Sequence, residues 1–290
     1  MMLIAGTVPI KGLPLTLAEA KFEGGFLSLN HCKIPCTQGT GATISAALTT
    51  TKYLKLDPPQ VLVGGDTGRG EGKGSRSIYE HLIRKLPELS PDVLALHYIL
   101  PDMALMRKVC ESVERCSEKP VMIADAGSMY AAKAAGLASE FDVFTPDFCE
   151  LGFLADPNAV HPAYINRHLF DTNVNQAPEL VSTAYQLKNA AKLLLVKGAI
   201  DYVAKEGEIL ERLTEPDIPA LEAIGGTGDT ITGLVSAFVY GGLELHEAAI
   251  IAAKSNRMAG KLARATPATK VWQIIAQFPA VFEKYLSEWV

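Results

Sequence analysis

The chain has 290 residues, of which 48% are hydrophobic, 7% aromatic and 20% charged, and its formal net charge is −5. This composition excludes disordered and fibrous chains, and the acidic balance argues against a nucleic-acid partner, because phosphate backbones are bound by basic surfaces. No apolar run approaches the roughly 20 residues of a membrane span. A secretory signal requires a basic residue near its start, and none precedes Lys11, so such a signal is disfavoured. We expect a soluble cytoplasmic protein without a membrane partner.

Five cysteines, an odd number without CxxC spacing, fit reduced thiols better than a disulfide framework. Cys32 and Cys36, beside His31, have the spacing of half a metal site. No second cysteine and histidine pair follows at zinc spacing, so free thiols are the favoured interpretation.

In chain order, short apolar runs alternate with longer stretches of helical period. The predicted strands are Gln60–Val63, Asp92–Leu96, Val121–Ala124, Asp142–Phe144, Leu193–Val196 and the pair Tyr202–Ala204 and Ile209–Leu213. The predicted helices among them are Thr43–Leu54, Ser77–Leu86, Met103–Cys116, Met129–Leu137 and Leu180–Ala190. Strands separated by helices require a mostly parallel sheet with helices on both faces, a three-layer α/β architecture.

Beyond about residue 225 the pattern predicts helices only. These are Asp229–Tyr240, His246–Ala265 and a stretch from Ala268 that Pro279 should break. No linker or repeat interrupts the chain, so we expect a single domain over residues 1–290. Residues 156–178 are the least regular segment and are interpreted as a lid or a surface excursion.

A glycine turn at Gly225–Gly228 leads directly into the helix that begins near Asp229. Backbone N–H groups at such a turn can point the same way, and the helix dipole adds positive charge, so Gly226, Thr227 and Gly228 are predicted to form an anion hole. Asp229 has two interpretations. It either caps the helix or takes a proton from a hydroxyl beside a transferring phosphoryl group.

Two carboxylates, Asp147 and Glu150, stand three residues apart after a predicted strand. They suit a hydrated Mg²⁺, but the same spacing is also that of a helix capping box. Further along, Lys197 follows the strand Leu193–Val196 and precedes Gly198, so it can reach a phosphate or extend to solvent.

Two other glycine-rich stretches are weaker signals. The stretch Gly64–Gly74 lacks Walker A spacing and the dinucleotide fingerprint, and remains a candidate substrate loop containing Gly65 and Asp66. The stretch Gly39–Ile44 matches Gly226–Ile231 except that Ala42 replaces Asp229, so Gly41 either lies at a second binding turn or the match is coincidence. His97 follows a predicted strand and is interpreted as a core residue rather than a catalyst. The sequence contains no GxSxG motif, and this argues against a hydrolase.

In combination these motifs resemble the ribokinase-like superfamily. Gly226-Thr227-Gly228-Asp229 resembles its anion hole and catalytic base, and Thr145-Pro146-Asp147-x-x-Glu150 resembles its magnesium and phosphate motif. Together with Lys197-Gly198-Ala199, the stretch Ala223–Gly233 and the later run Gly242–Ala249, the pattern is most similar to the NAD(P)H-hydrate dehydratase, or carbohydrate-kinase-related, family.

The resemblance implies a role for each matching residue. Asp229 would be the base, the residues Lys197, Gly198, Ala199, Ile200, Asp201 and Gly228 would contact ATP or ADP, and Glu150, Asp147 and Asp125 would organise Mg²⁺ through water. The substrate would meet Gly41, Gly65, Asp66, Asp147 and Asp229. Asp147 departs from the pattern, because kinases of this type usually carry Asn there and the dehydratases His.

The primary hypothesis from the sequence is ATP-dependent phosphoryl transfer to a hydroxyl of a small molecule. The first alternative is nucleotide-dependent dehydration of NAD(P)H hydrate, and the second is a catalytically silent nucleotide-binding protein. A small-molecule substrate and a nucleotide are the expected partners, and this fold often forms homo-oligomers.

Overall fold

The computed structural model describes residues 1–30, 32–67, 72–160 and 176–290. The strands are β1 (Met2–Val8), β2 (Thr16–Glu23), β3 (Phe26–Leu29), β4 (Cys32–Pro35), β5 (Gln60–Gly65), β6 (Val93–His97), β7 (Val121–Asp125), β8 (Val143–Phe144), β9 (Leu193–Val196), β10 (Asp201–Lys205) and β11 (Glu208–Leu213). The helices are α1 (Thr40–Leu54), α2 (Lys73–Leu89), α3 (Met103–Val113), α4 (Ala126–Ala134), α5 (Phe148–Ala155), α6 (Ala177–Gln186), α7 (Ala220–Ala223), α8 (Thr227–Tyr240), α9 (Leu245–Leu262), α10 (Val271–Ile275) and α11 (Phe278–Trp289).

The described strands form one sheet in the order β11-β10-β9-β8-β7-β6-β1-β5-β2-β3-β4. Strands β1 and β5 to β9 pair in parallel, whereas β2, β3 and β4 at one edge and β10 and β11 at the other are antiparallel. All predicted strands are present, and the mostly parallel sheet is confirmed.

Both faces of the sheet are buried, as a parallel sheet requires. Along β1, Ile4 packs into a core shared with α1 and with α8 to α11, while Leu3 packs into a second core shared with α2 to α6. Helices therefore cover both faces, and the predicted three-layer α/β class is confirmed.

The largest difference from the sequence prediction lies in the first 59 residues, for which no strand is predicted. Strand β1 lies in the middle of the sheet, where Ile4 aligns with Val61 of β5 and Ala95 of β6. A strand buried on both faces is a continuous apolar run without alternation, which periodicity alone does not identify as a strand. Strands β2 to β4 form hairpins whose outer faces are exposed.

Helix boundaries differ by a few residues. Helix α2 begins at Lys73 instead of the predicted Ser77, and α4 begins at Ala126 instead of Met129. Pro279 lies in the first turn of α11, where its missing N–H costs no helical hydrogen bond. The C-terminal helical stretch is interrupted between α10 and α11, as expected.

Cys32, Cys36, Cys110 and Cys116 are free thiols, which agrees with the prediction. His31 and most of the predicted lid lie outside the described residues. Within the described ranges, no helix is both long enough and apolar enough to cross a bilayer.

Candidate active site

A cavity of about 480 Å³ lies where the carboxyl ends of the parallel strands meet the start of α8. Ligands of open α/β sheets bind at this edge. The cavity brings together most of the residues singled out in the sequence: Asp125, Asp147, Glu150, Lys197 to Ala199, Asp201 and Gly226 to Asp229 line it.

Asp229 is held by two neighbours from other parts of the chain. Its Oδ2 accepts the N–H of Gly39 at 2.6 Å, and its Oδ1 lies 3.1 Å from Nε2 of His97. The hydroxyl of Thr43 donates to the Asp229 carbonyl at 3.1 Å. The carboxylate is therefore oriented by α1 and β6 and does not cap the first turn of its own helix.

The turn before Asp229 has the backbone that the glycines predict. Gly226 has φ 98°, a left-handed conformation that favours glycine, and a Cβ there would lie 3.0 Å from both Cα of Gln38 and the carbonyl oxygen of Thr37. Gly228 faces Lys197, since its Cβ position lies 3.8 Å from the Lys197 Nζ. An ammonium and a glycine turn at a helix start thus share one side of the cavity, an arrangement suited to an anion.

Lys197 forms a buried ion pair with Asp125. Its Nζ donates to Asp125 Oδ2 at 2.8 Å, and the hydroxyl of Thr232 donates to the same oxygen at 2.7 Å. Burial opposes ionisation of both groups. The Lys197 and His97 charges nevertheless hold the pKa of Asp125 well below its usual range, and Asp125 and Glu150 raise the pKa of Lys197. Lys197 is therefore a fixed cation beside Gly228.

His97 is fully buried, as the core interpretation expects, but it also contacts the site. Its Nδ1 lies 3.1 Å from the Thr40 hydroxyl, and its Nε2 lies between Asp229 and, at 3.5 Å, Asp125. Burial alone would lower the pKa of His97, but the two carboxylates outweigh it and raise the pKa to about 9. At neutral pH His97 is an imidazolium between two carboxylates.

Asp147 and Glu150 form a helix capping box, which was the structural alternative to a Mg²⁺ site. Asp147 Oδ1 accepts the Glu150 N–H at 2.8 Å, and Glu150 Oε2 accepts the Asp147 N–H at 2.7 Å. The hydroxyl of Tyr130 donates to Glu150 Oε1. Both carboxylates still line the cavity.

The three carboxylates predicted to organise Mg²⁺, those of Asp125, Asp147 and Glu150, line the same cavity. Burial, followed by the charges of Asp147 and Asp125, raises the pKa of Glu150 to about 8. Negative neighbours destabilise the ionised form of a carboxylate. A hard, oxygen-preferring cation bound beside them would offset that repulsion. Asp125, Asp147 and Glu150 would hold Mg²⁺, which would supply charge neutralisation for phosphate oxygens.

The loop Lys197–Asp201, predicted to contact a nucleotide, is stabilised from within. Asp201 Oδ1 accepts the Gly198 N–H at 3.0 Å, and Asp201 Oδ2 accepts from Nε of Arg257 at 2.7 Å. Arg257 and its neighbour Asn256 also line the cavity. The loop is thus held in one conformation next to the open space.

The remaining predicted substrate residues are not brought to Asp229. Gly41 is buried in the first turn of α1, with the Pro35 carbonyl 3.7 Å from its Cβ position. Gly65 and Asp66 line a second described cavity of about 450 Å³, and Asp66 Oδ2 accepts from the Ser75 hydroxyl at 3.0 Å. Their assignment as substrate contacts stays a prediction.

Three contributors were missed by sequence reasoning. Gly39 carried the only available signal, because the match between residues 39–44 and 226–231 marks two glycine turns that the fold places face to face. His97 and Arg257 gave no signal, because their partners lie far away in the chain.

The mostly parallel sheet, with a glycine turn at a helix start and an acidic residue after it, has a ribokinase-like fold. A ribokinase-like superfamily protein from Enterococcus faecalis V583 has the same fold, with a TM-score of 0.56 at 14% sequence identity over 98% of this chain and 87% of that one. Residues 88–277 match the model of the NAD(P)H-hydrate dehydratase family, and the chain belongs to that family.

Two relatives show how far this similarity extends. The uncharacterized protein MJ1337 of Methanocaldococcus jannaschii is 39% identical over 244 residues, which are 84% of this chain and 100% of that protein. The bifunctional NAD(P)H-hydrate repair enzyme Nnr of Pyrobaculum aerophilum is 30% identical over 185 residues, 62% of this chain and 33% of that enzyme. The similar region thus covers about a third of the length of the repair enzyme.

Proposed function

We propose that the protein dehydrates NAD(P)H hydrate at the expense of ATP or ADP. The observation that carries the proposal is the Asp229 carboxylate, oriented by Gly39 and His97 at the cavity beside the glycine turn of α8. A positioned base beside an anion hole is what phosphoryl transfer to a hydroxyl needs. The family match supports NAD(P)H hydrate as the acceptor, because it is to the hydrate dehydratases.

The nucleotide would bind with its terminal phosphate at Gly226–Gly228. Lys197 lies next to Gly228 and keeps its positive charge, so it can balance phosphate oxygens as they approach. Its pairing with Asp125 fixes where that charge lies. Asp147 and Glu150 would hold Mg²⁺, which would neutralise charge on the phosphate oxygens.

The chemistry is then a transfer followed by an elimination. The hydroxyl oxygen of the hydrate attacks the terminal phosphorus, its proton passes to Asp229, and the bond between that phosphorus and the nucleotide breaks. In the second step the carbon–oxygen bond breaks, phosphate leaves and a proton is lost from the neighbouring carbon, which restores the double bond of the nicotinamide. Base assistance contributes roughly 10²- to 10⁴-fold to the first step.

A second candidate is a small-molecule kinase, in which the reaction stops after the transfer. Asp147 leaves this candidate open, because the residue lines the cavity and departs from both patterns, the Asn usual in the kinases and the His usual in the dehydratases. A different side chain at that place changes what the acceptor meets. Both candidates use Asp229 in the same way.

One assay separates the candidates. The protein is incubated with NADH hydrate, Mg²⁺ and either ATP or ADP while the nicotinamide absorbance is followed, with Asp229→Asn as the control. Recovery of NADH with the unchanged protein alone supports the dehydratase. No recovery contradicts it. Turnover of nucleotide with vitamin precursors, sugars or nucleosides would then support the kinase, and binding without turnover would support the silent nucleotide-binding alternative.

A further inference from the structure

Arg257 is a buried cation inside α9 that also borders the cavity. Its side chain is 6% exposed, and its nitrogens make five hydrogen bonds. An arginine has five N–H donors in a rigid fork. The guanidinium is therefore fully occupied by protein acceptors.

The five bonds join two separate segments of the chain. Nη2 donates to the carbonyls of Gly198 at 3.1 Å and Ala199 at 2.8 Å, while Nε bonds Asp201 at 2.7 Å. Nη1 donates to the carbonyls of Thr214 at 3.2 Å and Pro216 at 3.4 Å. The first segment is the loop between β9 and β10, and the second follows β11.

Both segments reach the lining of the cavity. Gly198, Ala199 and Asp201 of the first segment line it, and so do Asp217 to Pro219, which continue the second segment. A single planar group that bonds both therefore fixes their separation. Lysine has the charge but not the fork, and cannot reproduce these contacts.

We propose that Arg257 is a positioning residue for the nucleotide, which sets the width of the cleft between residues 198–201 and 214–219 and does not itself bind phosphate. The inference rests on the proposed nucleotide site. An arginine at a nucleotide cavity suggests a direct phosphate contact, but the donors of this one are already used. Its effect on the nucleotide acts through the backbone of the loop.

The two roles predict different dependences on phosphate number. A direct phosphate contact contributes more to ATP than to adenosine, and a lysine would keep much of it as a point charge. A residue that shapes the cleft affects all ligands that occupy the loop, with or without phosphates. This role also requires the planar, forked guanidinium of arginine and not only a positive charge.

The test measures binding of adenosine, ADP and ATP to Arg257→Lys by calorimetry, with Arg107→Lys on the exposed side of α3 as the matched control. We expect the Kd of all three to rise by the same factor, roughly 10- to 100-fold, and the control to bind as the unchanged protein does. A loss that grows from adenosine to ATP would overturn the proposal, as would unchanged binding of all three.

If Arg257→Lys does not fold, Asp201→Asn provides the same test, because it keeps the volume of the side chain and removes the buried charge pair. We again expect the Kd values of adenosine, ADP and ATP to rise by the same factor. A rise that grows from adenosine to ATP, or no rise at all, would overturn the proposal. Failure of the proposed nucleotide site would be seen separately, since the unchanged protein would then bind none of the three ligands, and failure of the proposed dehydration would be seen as no recovery of NADH.

Discussion

The backbone N–H of Gly39 donates to Oδ2 of Asp229 at 2.6 Å, across 190 residues of sequence. Gly39 is the residue before α1, so the start of one helix holds the acidic residue in the first turn of another. The N–H group and the α1 dipole both stabilise the ionised carboxylate. The position of the proposed base is thus decided by the N-terminal part of the chain.

Replacing Asp229 by Asn should remove the base and leave the nucleotide site intact. We expect kcat to fall roughly 10²- to 10⁴-fold, with a nucleotide Kd close to that of the unchanged protein, because the glycine turn and Lys197 are retained. NADH recovery and calorimetry measure the two quantities. Asp57→Asn, at an exposed carboxylate that does not line the cavity, is the control and should keep its activity. A fully active Asp229→Asn would refute the assignment of the base.

Gly39→Ala should misplace the Asp229 carboxylate. Gly39 has φ 65° and ψ −150°, a region open essentially to glycine only, so a side chain costs about 1–3 kcal/mol or moves the N–H away. We expect a loss of kcat together with a lower unfolding free energy. Gly24→Ala is the matched control, since Gly24 has φ 56° with no atom near its Cβ position. The control should lose stability only, and an equal loss of kcat in both variants would contradict the prediction.

His97 should make stability depend on pH. Its pKa is raised from 6.5 to about 9 in the folded state, so the proton is bound more tightly there than in the unfolded chain. The stabilisation is complete below pH 6.5 and is lost as the pH rises to about 9, and it amounts to about 3 kcal/mol at most.

Denaturant unfolding of the protein and of His97→Gln between pH 6 and pH 9.5 measures this effect as a difference. The difference in unfolding free energy should shrink as pH rises. Other groups that titrate in this range, Glu150 among them, are present in both proteins and largely cancel. A difference that is constant or grows with pH would show that His97 is neutral in the folded state.

Binding of Mg²⁺ should release a proton from Glu150. Burial and the charges of Asp147 and Asp125 hold its pKa at about 8, so at pH 7 the group is mostly protonated without a cation. A bound dication stabilises the carboxylate, so about one proton should appear per ion. Addition of MgCl₂ to weakly buffered protein with a pH indicator measures this.

The control for that experiment is Glu150→Gln, whose amide oxygen can still accept the Asp147 N–H and whose NH₂ group can donate to the Tyr130 oxygen, but which has no proton to release. The Kd for Mg²⁺ of the unchanged protein should also fall as the pH rises from 6 to 8. Equal proton release from both proteins would place the cation elsewhere.

Much of the site could be predicted from the sequence because its signals are local. Gly226 to Asp229, Lys197 and the pair Asp147 and Glu150 each follow a predicted strand or begin a predicted helix, and the structure gathers them around one cavity. Parallel strands bring their carboxyl ends to one edge, so the prediction of a common site needed only the order of strands and helices.

The N-terminal third could not be predicted in the same way. Strand β1 carries no alternation because it is buried on both faces. The predicted substrate contacts at Gly41, Gly65 and Asp66 rested on glycine content, which marks close backbone approaches as well as binding turns. At Gly65 a Cβ would lie 2.2 Å from the Ile10 carbonyl, so packing alone requires glycine there.

By itself, the sequence determined the three-layer α/β class, the glycine turn and the residue that follows it, because periodicity and turn chemistry are properties of neighbouring residues. Only the tertiary structure decided what holds that residue. Gly39, whose N–H donates to Asp229, lies 190 positions from it, and His97 contacts it from β6. The loop beside the cavity is likewise held by Arg257, which lies 56 positions from its partner Asp201. A hydrogen bond depends on the distance between two atoms and not on their separation along the chain, so no local pattern records it. The net charge of −5 illustrates the same point. The sequence counts the carboxylates, but they acquire their roles only where the fold brings them beside Lys197 and His97.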